Sequence, residues 1–218
     1  MHCKQGQKGY MAIKIYLKKA YDRIRWAFLR ETLLDMRLPQ KLVEVILTCV
    51  TSTRFNVLWN GEKTEFFSPL RGVRQGDPLS PYLFILCMKR LGQLIEDSIG
   101  QGRWTPVCAS HGGPALSNLL FAHDLTLFEE ATREQALVIK EVLDKFCNAW
   151  GQKISFNKSR VFFSKNTNQD MANEIGVSLG IPVAEYLGRY LGMPTINGRV
   201  TKHTFKSIMN RVDQWLVG

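Results

Sequence analysis

Two short apolar runs, Leu119 to Phe121 and Leu125 to Phe128, flank His123-Asp124. This pattern predicts a tight β-hairpin with Asp124 at its tip, because His and Asp enter positive φ more readily than bulky or branched side chains. Upstream, Tyr10 to Leu17 predicts a strand, and Lys18 to Asp22 turns the chain into a helix carrying Trp26, Leu29, Leu33 and Leu34. Pro39 separates that helix from a second, Gln40 to Val50, in which Leu42, Val45, Ile46 and Cys49 fall at helical spacing. Residues 55–67 read as a hairpin around Asn60-Gly61, since a two-residue type I′ turn needs positive φ twice. Ser80 as N-cap and Pro81 as first helical residue open a long buried helix over Tyr82 to Ile99, stopped by Gly100.

Gly102 to Pro114 is a connection bearing Gly and Pro. Thr132 to Gln135 forms a capping-box pattern for a helix with Ile139, Val142, Leu143, Phe146, Cys147 and Trp150 on one face, and Gly151 ends it. Lys153 to Phe156 and Arg160 to Ser164 predict a strand pair around the turn-like Asn157-Lys158. After a polar stretch over 166–170, Tyr186-Leu187-Gly188 and Tyr190 to Pro194 alternate apolar residues with glycine, and Thr201 to Val217 predicts a basic amphipathic helix. Residues 1–9 carry no pattern and read as a frayed end. The order of elements is that of an α+β domain with helices on one face of an antiparallel sheet.

Composition narrows this only slightly. At 218 residues and 45% hydrophobic, the chain suits one globular unit. Its net charge is +10, and ten of its 29 Lys and Arg precede residue 42, opposed there by Asp22, Glu31 and Asp35. That density suits either a polyanion partner or a solvated basic face. Cys3, Cys49, Cys87, Cys108 and Cys147 are odd in number, widely spaced and without a Cys-x-x-Cys pair; four lie among apolar residues, as buried thiols of a reducing compartment do. No apolar run reaches membrane-spanning length and the polar opening is no signal peptide, so no membrane partner is expected and an intracellular location, nuclear or cytoplasmic, is.

One segment is far more specific. Arg71-Gly72-Val73-Arg74-Gln75-Gly76-Asp77-Pro78-Leu79-Ser80-Pro81-Tyr82-Leu83-Phe84 closely resembles the B motif of reverse transcriptases of non-LTR (LINE-type) retrotransposons, in a plant-like variety. Around it, Lys14 to Trp26 resembles motif A, 119–128 motif C, 133–160 motif D and 186–194 motif E. The resemblance implies a polymerase palm-like antiparallel sheet over 10–198 and a partial thumb at the C-terminus over 199–218. It also implies fingers, further thumb and endonuclease segments of a parent polyprotein as partners, with an RNA template, a DNA primer, and Mg²⁺ or Mn²⁺ as cofactor.

Template-directed nucleotidyl transfer uses two divalent ions bridged by carboxylates, because hard cations want oxygen ligands held in line. The family takes these from one motif A Asp and a motif C Asp-Asp pair. Here Tyr16-Leu17-Lys18-Lys19-Ala20-Tyr21-Asp22 has Tyr16 at the first position, and Phe121-Ala122-His123-Asp124 has His123 at the second, leaving Asp124 alone. A phenol is neutral at pH 7 and imidazole prefers softer metals, so neither replacement restores the charge. Asp22 falls at the expected helix start, where an acid serves as a cap or dipole partner.

Other roles carry over to matching residues. Tyr21 resembles the aromatic under the incoming sugar, its alternative being a core aromatic. Arg74, Gln75 and Gly76 resemble residues that approach template and nucleotide, Gly because a side chain would block that approach. Arg71 and Arg74 fit either backbone phosphates or plain surface charge. Lys158 resembles the lysine that protonates pyrophosphate, its alternative an exposed turn lysine. Leu187 and Gly188 resemble part of the primer grip. The leading reading is a fragment of a reverse transcriptase palm, an RNA-directed DNA polymerase by resemblance, inactive or severely impaired. The alternative is a non-catalytic nucleic-acid-binding remnant. A hydrolytic metal site on His123 and Asp124 ranks last, since His2, His111 and His203 stand at no ligand spacing to it.

Overall fold

In the computed structural model, which describes residues 8–108, 112–121, 124–186, 189–190, 193–194 and 205–217, a four-stranded antiparallel sheet organises the chain. Its central strand β1 (Tyr10–Ile15) pairs on one side with β7 (Asp124–Glu130) and on the other with β8 (Arg160–Phe163), and β6 (Asn118–Phe121) lies outside β7. Lys8 and Gly9 extend this pairing: Lys8 bonds Glu130, and the Ala131 N–H donates to the Gly9 carbonyl. Successive side chains alternate faces along a strand. Met11, Ile13 and Ile15, with Leu125, Leu127 and Val161 across the ladders, therefore share one face and join a single hydrophobic core with the helices. Ala12, Lys14 and Thr126 take the other face.

Those helices are α1 (Trp26–Asp35), α2 (Gln40–Thr51), α3 (Ser80–Gly100), α4 (Arg133–Trp150) and α5 (Gln169–Leu179), with α6 (Lys206–Val217) at the end. Phe28 of α1, Phe84 of α3 and Phe146 of α4 surround Trp150, whose ring lies 6.1 Å, 5.4 Å and 4.9 Å from theirs. The remaining strands form short pairs: β2 (Leu58–Trp59) with β3 (Glu62–Lys63), β4 (Val107–Cys108) with β5 (Ala115–Leu116), and β9 (Arg189–Tyr190) with β10 (Met193–Pro194). No helix among the described residues is long and apolar enough to cross a membrane.

The α+β architecture with helices on one sheet face holds, and several local expectations change. Phe121 pairs with Asp124, so Asp124 is the first residue of β7 rather than a turn residue, and the connection falls on Ala122 and His123, outside the described residues. Residues 153–156 make no hairpin with β8. They form one bridge, Ile154 to Leu17, because β8 completes its hydrogen bonds on β1 instead. Helix α5 was not anticipated, although Asn168 caps it, Ala172, Ile175, Gly176 and Leu179 form its buried stripe, and Gly180 closes it at φ 65°.

At the helix ends, Asp77 holds the Leu79 N–H at 2.8 Å and Ser80 is already helical, so the expected Ser80 cap is replaced by an aspartate turn. The left-handed residue after α3 is Gly102, not Gly100. Thr132 caps α4 as its sequence predicts, but Gln135 does not return the bond; its amide donates to the Arg103 carbonyl. On α2, Val43 is the buried residue while Leu42, Val45 and Cys49 face outward, so the predicted apolar stripe is mostly exposed. Glu129 is wholly buried at the far end of β7 from Asp124. Its Oε1 accepts from the Thr105 and Glu130 N–H groups, its Oε2 has no partner, and burial pushes its carboxyl up to about 8.

Candidate active site

The site forms where β1 and β7 end together. Ile15 pairs with Leu125, which sets Tyr16, the next residue of one strand, beside Asp124, the preceding residue of the other. Both are half-buried. Two residues back on the same face, Lys14 is buried between Thr126 and Arg160 in the ladders, and its Nζ lies 5.3 Å from the centre of the Tyr16 ring. At that distance ammonium and ring attract one another.

Tyr16 is pinned through its backbone. Its N–H donates to Ser159 Oγ at 3.1 Å, and its carbonyl accepts from the Ser155 N–H at 2.7 Å. Ser159 Oγ donates in turn to the Ser155 carbonyl at 2.9 Å, and the Lys158 N–H donates to that carbonyl at 3.0 Å. The turn carrying exposed Lys158 is thereby fastened to the residue at the motif A position. This Ser155/Ser159 latch was not read from the sequence; two serines four apart are its only mark there.

A second set of bonds ties the following loop to the motif B segment. The Val73 N–H donates to the Tyr21 carbonyl at 3.0 Å, the Gly72 N–H to the Ile24 carbonyl at 2.7 Å, and Trp26 Nε1 to the Gly72 carbonyl at 2.8 Å. Gly72 has φ 92°, and a Cβ there would lie 2.8 Å from the Asp22 carbonyl oxygen, so only glycine permits this approach. Tyr21 is half-buried and stacks on Phe84 with ring centres 4.8 Å apart. Arg74, Gln75 and Gly76 stand exposed just beyond, with Gly76 at φ 88° and open space where a Cβ would point. Asp22 lies in the turn before α1, whose N-cap is Arg25, so Asp22 is not the cap that its sequence position suggests.

The structure thus brings together Tyr16, Asp124 and the Lys158 turn, and separately Tyr21 with Arg74, Gln75 and Gly76. His123, Leu187 and Gly188 lie outside the described residues. The ion pairs among the described residues engage Lys8, Arg90, Arg103 and Arg133. None of these is Lys18, Lys19, Arg71, Arg74, Lys153 or Lys158, so the loops around the site keep their positive charge available to a polyanion.

Reverse transcriptases use divalent metal ions, and the donors here do not fit a bridged pair. Among the described residues no three His, Cys, Asp or Glu side chains gather as ligands. The strand ends supply one phenol and one carboxylate with an ammonium close by, where two hard cations need several anionic oxygens.

Residues 1–195 match the family model described as reverse transcriptase (RNA-dependent DNA polymerase). A retrovirus-related Pol polyprotein from the type-2 retrotransposable element R2DM of Drosophila melanogaster is 32% identical over 142 residues, which are 65% of this chain and 13% of that protein. An uncharacterised mitochondrial protein of Arabidopsis thaliana is 48% identical over 65 residues, 30% of this chain and 53% of that one. The chain therefore spans between about an eighth and about a half of these relatives. Among solved structures, apo telomerase from Candida tropicalis truncated from its C-terminal domain shares the fold at TM-score 0.55 and 16% identity, covering 74% of this chain and 32% of that one. With a family match over residues 1–195, the chain belongs to the reverse transcriptase family.

Proposed function

We propose that this chain is the palm (10–198) and the start of the thumb (199–218) of a retrotransposon reverse transcriptase, with nucleotidyl transfer silenced or severely impaired at its metal site. The observation that carries this is Tyr16, held by two backbone bonds beside Asp124 with the Lys14 ammonium over its ring. A neutral phenol and a neighbouring cation stand where the family places a carboxylate, and His123 takes a second carboxylate position. Losing metal coordination in phosphoryl transfer removes several kcal/mol of transition-state stabilisation, at about tenfold in rate per 1.4 kcal/mol.

The remaining roles rest on residues that match the family's motifs and need no metal ligand. Tyr21, Arg74, Gln75 and Gly76 face nucleotide and template, Lys158 stands by the leaving group, Leu187 and Gly188 belong to the primer grip, and Mg²⁺ or Mn²⁺ binds weakly on Asp124. RNA template, DNA primer and the fingers, thumb and endonuclease segments of a larger polyprotein are the partners, inside the cell. The unpaired cations around the site also favour a second reading, a nucleic-acid-binding remnant without chemistry.

Primer extension on poly(rA)/oligo(dT) with Mg²⁺ or Mn²⁺ tests this. The chain and its Tyr16→Asp, His123→Asp form are compared in a protein that also carries fingers and thumb. Extension by the restored form alone is expected. Equal extension by both would show that another carboxylate supplies the ligand.

A further inference from the structure

Glu129 is a buried acid for which the site chemistry has no use. It stands on β7 opposite Met11 of β1 and has no exposed surface. Oε1 accepts from the Thr105 N–H at 3.0 Å and from the Glu130 N–H at 3.2 Å, while Oε2 has no partner. Ionised in that position, the side chain would hold a full charge away from water with one oxygen unpaired; protonated, it holds no charge.

The surroundings carry cations but commit them elsewhere. The titratable side chains on the elements that meet around Glu129 are Lys8 and Tyr10 beside β1, Glu130 on β7, Arg103 on the connection after α3, and Arg133 and Glu134 at the start of α4. From β4 come Val107 and Cys108, neither of them charged. Lys8 pairs with Glu130, Arg103 with Glu141 and Arg133 with Glu174. Glu130 adds a like charge one residue away. None of the three cations compensates an ionised Glu129, so the neutral form belongs to the closed structure. The two backbone bonds favour the anion, but burial outweighs them, and the anion gains more by reaching water than by keeping Thr105.

What Glu129 holds is the connection from α3 to β4. The Thr105 N–H is shared with Gln135 Oε1 at 3.3 Å, Gln135 Nε2 donates to the Arg103 carbonyl at 2.9 Å, and buried Trp104 donates from Nε1 to the Phe128 carbonyl at 3.2 Å. Beyond Thr105 the chain enters β4, and β5 leads through Ser117 into β6, whose Phe121 pairs with Asp124. We propose that protonated Glu129 is a pin fastening the α3–β4 connection to the end of the sheet, and that loss of its proton to water releases residues 103–105 and loosens the β4–β5 hairpin that feeds the motif C strand β6. The pin involves no metal ligand and does not rest on polymerase activity.

Amide hydrogen exchange, read residue by residue by NMR on the 218-residue chain from about pH 5 to about pH 8, tests this. Protection of the Thr105 amide, measured against an unstructured peptide at each pH, is expected to fall about tenfold per pH unit, because the open form ionises and the closed form does not. It is also expected to lie below the protection of Ile13 in β1 at every pH, since the release is local. Glu129→Gln keeps an oxygen for the Thr105 N–H but has no proton to lose, so protection there becomes independent of pH. Glu129→Met fills the space without an acceptor, so Thr105 is poorly protected at every pH; far-UV circular dichroism checks that both variants fold. Trypsin cleavage after Arg103, taken relative to Glu129→Gln at the same pH, should rise in parallel. Constant protection of Thr105 in the natural chain, or the same slope in Glu129→Gln, overturns the proposal. So does protection of Thr105 equal to that of Ile13 throughout, which makes the opening a global unfolding. Each of these failures leaves the polymerase assignment untouched.

Discussion

Replacing Gly72 by alanine probes the junction between the motif A loop and the motif B segment. The new Cβ would stand 2.8 Å from the Asp22 carbonyl oxygen and 3.0 Å from its Cα, and both are backbone atoms that cannot rotate aside. Forcing such an overlap costs about 1–3 kcal/mol. The φ of 92° adds about 1–2 kcal/mol, since an L-residue is strained there and glycine is not. Relieving the overlap also stretches the bonds from Gly72 to Ile24 and from Trp26 to Gly72. The total, about 2–5 kcal/mol, lowers Tm by about 4–20 °C for a chain of this size. Gly76 is the internal control: its φ is 88° but a Cβ there meets open space, so Gly76→Ala loses only the about 1–2 kcal/mol of backbone strain. Thermal unfolding followed by circular dichroism compares the two. Equal losses in both variants would refute the close-approach reasoning and leave backbone strain as the whole effect.

Three further outcomes follow from individual contacts. Ser159→Ala removes a buried hydroxyl that bonds both Tyr16 and Ser155, so the chain should lose about 1–3 kcal/mol and the Tyr16 amide should exchange faster in hydrogen exchange. Glu129 carries a pKa raised by burial to about 8, against an unfolded value near 4.5, so the native chain holds the extra proton between them. Stability is then fully present below about pH 4.5 and falls by about 1.4 kcal/mol per unit as pH rises towards 8. Urea unfolding across that range should show the fall in the natural chain and not in Glu129→Gln. Cys49 is exposed whereas burial pushes the Cys87 thiol up to about 12, so iodoacetamide should label Cys49 before Cys87 by mass spectrometry, and equal labelling of the two would contradict the packing of α3.

Reading the chain from its pattern succeeds where local chemistry and tertiary context agree. Asn60-Gly61 and Gly151 each need positive φ for a local reason, and each has it. Met11, Ile13 and Ile15 alternate because one sheet face meets the core. The pattern misleads where a long-range partner decides. Residues 153–156 look like a hairpin strand, yet β8 finds its partner in β1, more than a hundred residues away in sequence. Helix α5 escapes because Gly176 sits inside its apolar stripe; the structure gives the reason, as a Cβ there would lie 2.8 Å from Val183 Cγ2. Tyr16 and Asp124 are legible as family positions, but the Ser155/Ser159 latch and the Lys14 contact depend on side chains meeting across three segments, and no spacing rule encodes that.

The most direct test of the central claim is Mn²⁺ binding, followed by electron paramagnetic resonance with primer–template and a deoxynucleotide present, for the natural chain and for its Tyr16→Asp, His123→Asp form. If Tyr16 and His123 have dismantled the metal pair, the restored form binds two ions more tightly than the natural chain, which holds them no better than the nucleotide alone. Equal, tight binding of two ions by both forms would contradict the account and place the missing carboxylates elsewhere in the fold.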